Sequence, residues 1–172
     1  KIEAFREKLA SLTFLDPACG SGNFLTETYM SLRRLENEAL VELTGGQMLL
    51  DLGNVISVSI GQFYGIEIND FAVTVAKTAL WIAESQMLKE TESIVNMDLD
   101  FLPLKSYANI VEGNALRIDW ESVVPKHELN YIMGNPPFVG YSLQTAEQKK
   151  DILSIYVDEK GKPYKTAGKI DY

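Results

Sequence analysis

A chain of 172 residues, 46% hydrophobic and 23% charged, is long enough for one domain with a sizeable core and has the composition of a soluble globular protein. Its formal net charge of −8 argues against a free-standing nucleic-acid binder, and its single cysteine, Cys19, excludes an internal disulfide and fits a reducing, cytoplasmic setting. No apolar run approaches the roughly 18 residues of a membrane span, so no membrane partner is expected.

The chain opens on KIEAFREKLA without Met, so a piece of a longer protein is expected. In residues 1–11, Ile2, Phe5 and Leu9 recur near helical spacing. LTFLD (12–16) reads as a short buried strand, and PACGSG follows as a breaker-rich turn. From Asn23 to about Leu43 the apolar positions return every three or four residues, through Phe24, Leu25, Leu32, Leu35 and Ala39, until Gly45-Gly46 ends the helix. Residues 47–61 read as irregular, an insertion with one extra short strand around Val55–Ile60. QFYGIEI (62–68) is strand-like and stops at Asn69-Asp70, which can cap a helix. That helix follows over 71–88, with Val73, Ala76, Leu80, Ala83 and Met87 on one face. Residues 89–107 read as a loop, NIVEG (109–113) as a third strand, 117–124 as a helical turn, and LNYIMG (129–134) as a fourth strand. A helix around Thr145–Tyr156 and a largely flexible Lys/Gly-rich tail complete the chain.

This alternation predicts an α/β fold, a mostly parallel sheet with helices on both faces. Ligands in such sheets lie beyond the carboxyl ends of the strands. Four polar or breaker-rich loops fall there: DPACGSG, EIN, GNAL and NPPF.

Gly20 and Gly22 can take positive φ and let a ligand approach the backbone, beside a helix N-terminus with free N–H groups. Leu25 stands where a dinucleotide fingerprint needs its next glycine, and no G-K-[ST] follows, so neither that fingerprint nor a P-loop is present. A plain strand-to-helix turn is the competing reading. Cys19 reads as a packing residue, with no base partner apparent. Glu67 ends the second strand, where a carboxylate can accept both hydroxyls of a ribose; alternatively it is an exposed strand-end glutamate. Asn114 can pair with a purine edge or simply form a turn after Gly113. The group Asn135-Pro136-Pro137-Phe138 is the most specific. Two prolines remove two donors and hold two acceptors rigid, the Asn135 side-chain oxygen and the Pro136 carbonyl, and Phe138 offers a flat face for a ring. Such a loop suits an exocyclic amine. A structural Asn-Pro-Pro turn is the alternative.

Together the four loops resemble the N6-adenine DNA methyltransferases of bacterial restriction–modification systems. DPACGSGNFL is similar to their cofactor motif, GIEIND to the ribose-binding motif, GNAL to the adenine-side motif and NPPF to the catalytic motif, in the gamma order. FYGIEI, ALWIAE and NALRIDW look most like the single-chain type IIG or IIL enzymes. The resemblance spans roughly residues 12–141, with an echo in the terminal KIDY. It implies a Rossmann-like class I fold and S-adenosylmethionine as methyl donor. Asp16, Ala18, Gly20, Gly22 and Asn23 would lie at the cofactor, Glu67 on its ribose, Ile68 against its adenine, and Asn114 with Ala115 along the amino edge. Asn135 and Pro136 would bind the target amine and Phe138 would stack on the target base. The resemblance further implies double-stranded DNA as partner of the full-length protein and no metal. It also implies that residues 1–172 are a single catalytic core, truncated at both ends, without a target-recognition domain. Many relatives carry aspartate where Asn114 stands. A glutamine methyltransferase acting on release factors, an RNA-base methyltransferase and a non-enzymatic cofactor-binding module are the competing readings.

Overall fold

The computed structural model describes residues 1–45, 55–96, 98–99 and 108–172. Four strands, β1 (Phe14–Asp16), β2 (Phe63–Glu67), β3 (Asn109–Glu112) and β4 (Tyr131–Ile132), form one parallel sheet in the order β3-β2-β1-β4. Four α-helices accompany them: α1 (Ile2–Ala10), α2 (Asn23–Thr44), α3 (Asp70–Val95) and α4 (Ala146–Ile155). No described helix is long and apolar enough to cross a membrane.

Side chains alternate between the two faces of the sheet. Phe14, Phe63 and Ile110 enter the larger core layer, with Leu25, Tyr29, Leu32, Val73, Ala76 and Leu80 from α2 and α3. Leu15, Ile66 and Val111 belong to a smaller layer with Ile118, Trp120, Val124 and Leu129. That second face is covered by residues 115–129, whose helical element is a one-turn 3-10 helix at Trp120–Ser122. Every residue of β1 is buried, Asp16 included, so the strand shows no alternation of apolar and polar positions. The rings of Phe63, Phe14 and Tyr131 stack across three neighbouring strands, with centroids 5.2 Å apart at each step.

Helix boundaries follow their local chemistry. Asn69 caps α3 by accepting the Ala72 N–H at 2.9 Å. Thr145 and Gln148 form a reciprocal capping box at α4. Gly45 ends α2 in the left-handed region at φ 54°.

Four expectations need correction. Helix α3 continues to Val95 through residues expected to be loop. Thr91 and Val95 extend the buried line of Met87, and the Thr91 hydroxyl lies 2.9 Å from the Met87 carbonyl. Most of the remaining expected loop lies outside the described residues, as does 46–54. No ladder forms over the described part of the extra strand. The N–H groups of Ser57 and Val58 instead donate to Glu36 Oε1 at 2.6 and 3.3 Å, and Ile60–Gln62 is a 3-10 turn. Strand β4 is only two residues long; its entry is irregular, with Asn130 and Tyr131 both donating to the Thr13 carbonyl. The tail is tied down rather than flexible. Val157 bridges Pro163, Ala167 is buried, and Val139 and Tyr172 exchange backbone hydrogen bonds of 2.8 and 2.9 Å.

Away from the strand ends, a polar cluster is buried between α2, α3 and residues 57–58. Arg33 and Glu36 are fully buried and pair one turn apart on α2. Arg33 also donates to the Thr91 hydroxyl at 2.6 Å.

Candidate active site

The chain runs outward from β1 to β2 and β3, then crosses back to β4 on the other side of β1. The sheet therefore has its topological switch point between β1 and β4, where doubly wound folds open a crevice. Loops after all four strands line one cavity of about 350 Å³ there. Pro17 and Ala18 follow β1, Glu67 and Ile68 end β2, Gly113 to Leu116 follow β3, and Pro136 and Pro137 follow β4. Ile66, Trp120 and Tyr172 complete the walls.

The β1 loop turns on two left-handed glycines, Gly20 at φ 53° and Gly22 at φ 81°. A Cβ on Gly22 would stand 2.9 Å from Ala76 Cβ, so this glycine also lets α2 start close against α3. Asp16 is almost wholly buried and accepts the Ala18 N–H at 3.0 Å. Burial pushes its carboxyl above the ordinary range; the Ala18 bond opposes this, and nearby Glu67 adds to it. Cys19 is buried, and chiefly burial pushes its thiol up to about 12. It packs where a Cβ on Gly65 would lie 2.8 Å from its Sγ, consistent with a packing role.

Glu67 joins two loops. Its Oε2 accepts the Gly20 N–H at 2.9 Å and its Oε1 the Asn69 N–H at 3.0 Å. The carboxylate plane is thereby set, and each oxygen keeps a further acceptor position. Ile68 is two-thirds exposed at the cavity rim.

The β4 loop leans on the β1 loop. Gly134 has φ 150°, and a Cβ there would overlap Asp16 Oδ1 and lie 2.9 Å from its Cγ. Only glycine fits above that carboxylate. Asn135, Pro136 and Pro137 are exposed beyond it, and Phe138 is 80% exposed.

Of the residues singled out in the sequence, Ala18, Glu67, Ile68, Asn114, Ala115 and Pro136 line the cavity. Asp16, Gly20, Gly22 and Asn23 form the neighbouring turn, and Asn135 and Phe138 stand on the loop that supplies one wall. Two partners of Asn114, and the arginine that holds one of them, escaped sequence reasoning. Its Nδ2 donates to Tyr172 Oη at 2.9 Å and to Asp151 Oδ2 at 3.2 Å, and Arg117 Nε donates to Asp151 Oδ1 at 2.8 Å. The Arg117 guanidinium, with help from Asn114 and Tyr172, holds the Asp151 carboxyl below its ordinary range. The only sequence hint was the KIDY echo, since Asp151 and Tyr172 reach Asn114 only through the fold.

A parallel sheet with its switch point between a glycine turn and an Asn-Pro-Pro-Phe loop defines a Rossmann-like methyltransferase domain. A family model for the DNA-methyltransferase domain of MmeI matches residues 1–172, and the chain belongs to that family. It is 45% identical over 159 residues to DNA methyltransferase A of Bacillus subtilis (strain 168), covering 91% of this chain and 18% of that protein. It also matches the structure of the type IIL restriction–modification enzyme MmeI in complex with DNA, at a TM-score of 0.90 and 44% identity, over 99% of this chain and 22% of that one. The chain thus spans less than a quarter of either relative.

Proposed function

We propose that this domain transfers a methyl group from S-adenosylmethionine to the N6 amine of an adenine flipped out of double-stranded DNA, as the modification part of a restriction–modification enzyme. The observation that carries the reading is the single cavity lined by the loops after all four strands, with Pro136 and Pro137 as one wall.

The residues present fit the cofactor. Ile66, Ile68, Ala115, Leu116 and Trp120 offer apolar walls to a flat heterocycle. The two remaining acceptor positions on Glu67 suit two adjacent ribose hydroxyls. Asp16 is a buried carboxylate whose ionised form a cationic ammonium would stabilise. When bound, S-adenosylmethionine supplies an electrophilic methyl group, so neither a metal nor a covalent intermediate is required.

At the target, the Asn135 side-chain oxygen and the Pro136 carbonyl accept the two N–H bonds of the amine. That grip draws the nitrogen lone pair out of conjugation with the ring and aims it at the methyl. Phe138, already exposed, stacks on the extruded base, a contact worth about 1–3 kcal/mol. Positioning and acceptor electrostatics carry the rate. With a net charge of −8, these 172 residues neutralise few phosphates, so DNA affinity and sequence readout would come from other parts of the full-length protein.

The test is single-turnover methylation by the full-length protein with labelled donor. Asn135→Ala should abolish transfer to DNA while leaving affinity for S-adenosylhomocysteine within about twofold, because it removes an acceptor used only by the amine. A variant that keeps most of its rate would make the loop structural. Label appearing in RNA or a release factor, and not in DNA, would replace the proposed substrate.

A further inference from the structure

We infer that Asp151 and Tyr172 are positioning residues that lock the Asn114 amide in one orientation, so that it offers the cavity an acceptor and thereby selects a ligand carrying an exocyclic amine. This deepens the proposed function and rests on it.

An asparagine amide has two donors on nitrogen and two acceptor positions on oxygen. Both donors of Asn114 are committed, one to Asp151 Oδ2 at 3.2 Å and one to Tyr172 Oη at 2.9 Å. Its oxygen accepts the Leu116 N–H at 2.9 Å. One acceptor position is all that remains. The reverse amide orientation would set the Asn114 oxygen against the Asp151 carboxylate and its NH₂ against the Leu116 N–H. Both contacts are repulsive, so the surroundings determine the flip.

The supporting groups are themselves oriented. Arg117 Nε holds Asp151 Oδ1 at 2.8 Å, keeping the carboxylate ionised. The Tyr172 hydroxyl lies 3.4 Å from Asp151 Oδ2, so it donates there while accepting from Asn114. Tyr172 is anchored by reciprocal backbone bonds to Val139, the residue that follows Phe138. An asparagine that could present either end is thus made to behave as an acceptor, as an aspartate in its place would. Asn114 and Tyr172 both line the 350 Å³ cavity; Asp151 does not, and lines with them an adjoining open cavity of about 800 Å³.

The test compares two ligands by calorimetry on the full-length protein. One is S-adenosylhomocysteine; the other is its purine-riboside analogue, with hydrogen in place of the amine and the N1 acceptor retained. The wild type should prefer the amine by about tenfold, the effect of one hydrogen bond whose loss leaves its partner unpaired. In Tyr172→Phe with Asp151→Ala the preference should fall below about threefold; the ratio of the two affinities is the readout, since Tyr172 also lines the cavity and both affinities can move together. Tyr172→Phe alone, which deletes one oxygen, should give a partial fall and serves if the double variant does not fold. An unchanged preference in a folded variant would overturn the inference. Equal binding of both ligands by the wild type would overturn it too, while leaving the cofactor reading intact. Binding of neither would sink the cofactor reading and the inference with it.

Discussion

Two regions of this chain hold ionisable side chains away from water, and they are closed to different degrees. Around Arg33, Glu36 and Thr91 the charged groups turn on one another. Glu36 takes Arg33 from its own helix and the backbone N–H groups of Ser57 and Val58, and Arg33 reaches across to α3. At the strand ends, Asp16 and Glu67 are gripped by backbone N–H groups alone, which orient the carboxylates and leave lone pairs over. The first region joins elements and presents nothing outward. The second is organised by the backbone so that its side chains can face a ligand. Glu36 is closed by a buried counter-charge as well as by the main chain; Asp16 and Glu67, held by main-chain N–H groups, keep acceptor positions open.

Substitutions can break that contrast. Glu36→Ala leaves the Arg33 guanidinium buried without its carboxylate, and should lower unfolding free energy by about 3–5 kcal/mol in urea titration. A loss below about 1 kcal/mol would mean the helix cluster is no more structural than the strand ends. Glu67→Ala should do the converse. Calorimetry should find cofactor-product affinity weakened by about 1.5–3 kcal/mol, the range for hydrogen bonds to a charged group, with stability reduced by less than about 1 kcal/mol. Unchanged affinity would refute the ribose assignment. Gly134→Ala forces a side chain onto Asp16 at a φ of 150°, and should lower thermal stability by about 1–3 kcal/mol while slowing methylation.

The smallest effect has the opposite sign. Burial raises the Asp16 carboxyl, so its ionised form weakens the fold at neutral pH. That destabilisation fades as pH falls through the raised value and is absent below the ordinary aspartate value of 3.8. Asp16→Asn should therefore raise the melting temperature near pH 7, with the gain narrowing on acidification, and should impair cofactor binding. A variant less stable than wild type at pH 7 would show that Asp16 belongs with the helix cluster.

The two regions also differed in what the sequence could reveal. The strand-end loops announce themselves, because glycine, proline and asparagine mark special backbone geometry and interrupt apolar runs. The helix cluster does not. Thr91 looks like a polar loop residue until its hydroxyl is seen back-bonded to Met87 and facing Arg33, and so α3 was expected to stop too early. The alternating residues at 55–60 look like a strand, yet the N–H groups of Ser57 and Val58 are taken by Glu36 of α2 and that of Ser59 by Gln62. Asp151 and Tyr172 were missed for a related reason: their meaning lies in which amide they touch, and only the crossover to β4 and the return of the tail bring them to it.

The contact between Gly134 and Asp16 bears on the order in which this domain can change. With an aspartate at 16, a side chain at 134 meets its carboxylate, so a change at 134 costs less once residue 16 has been shortened. After that step, the backbone angle of 134 still disfavours a side chain. The reverse order passes through an intermediate in which two loops compete for the same space. The two positions are therefore not independent: the loops after β1 and β4 share one volume, and room made at 16 is room gained at 134.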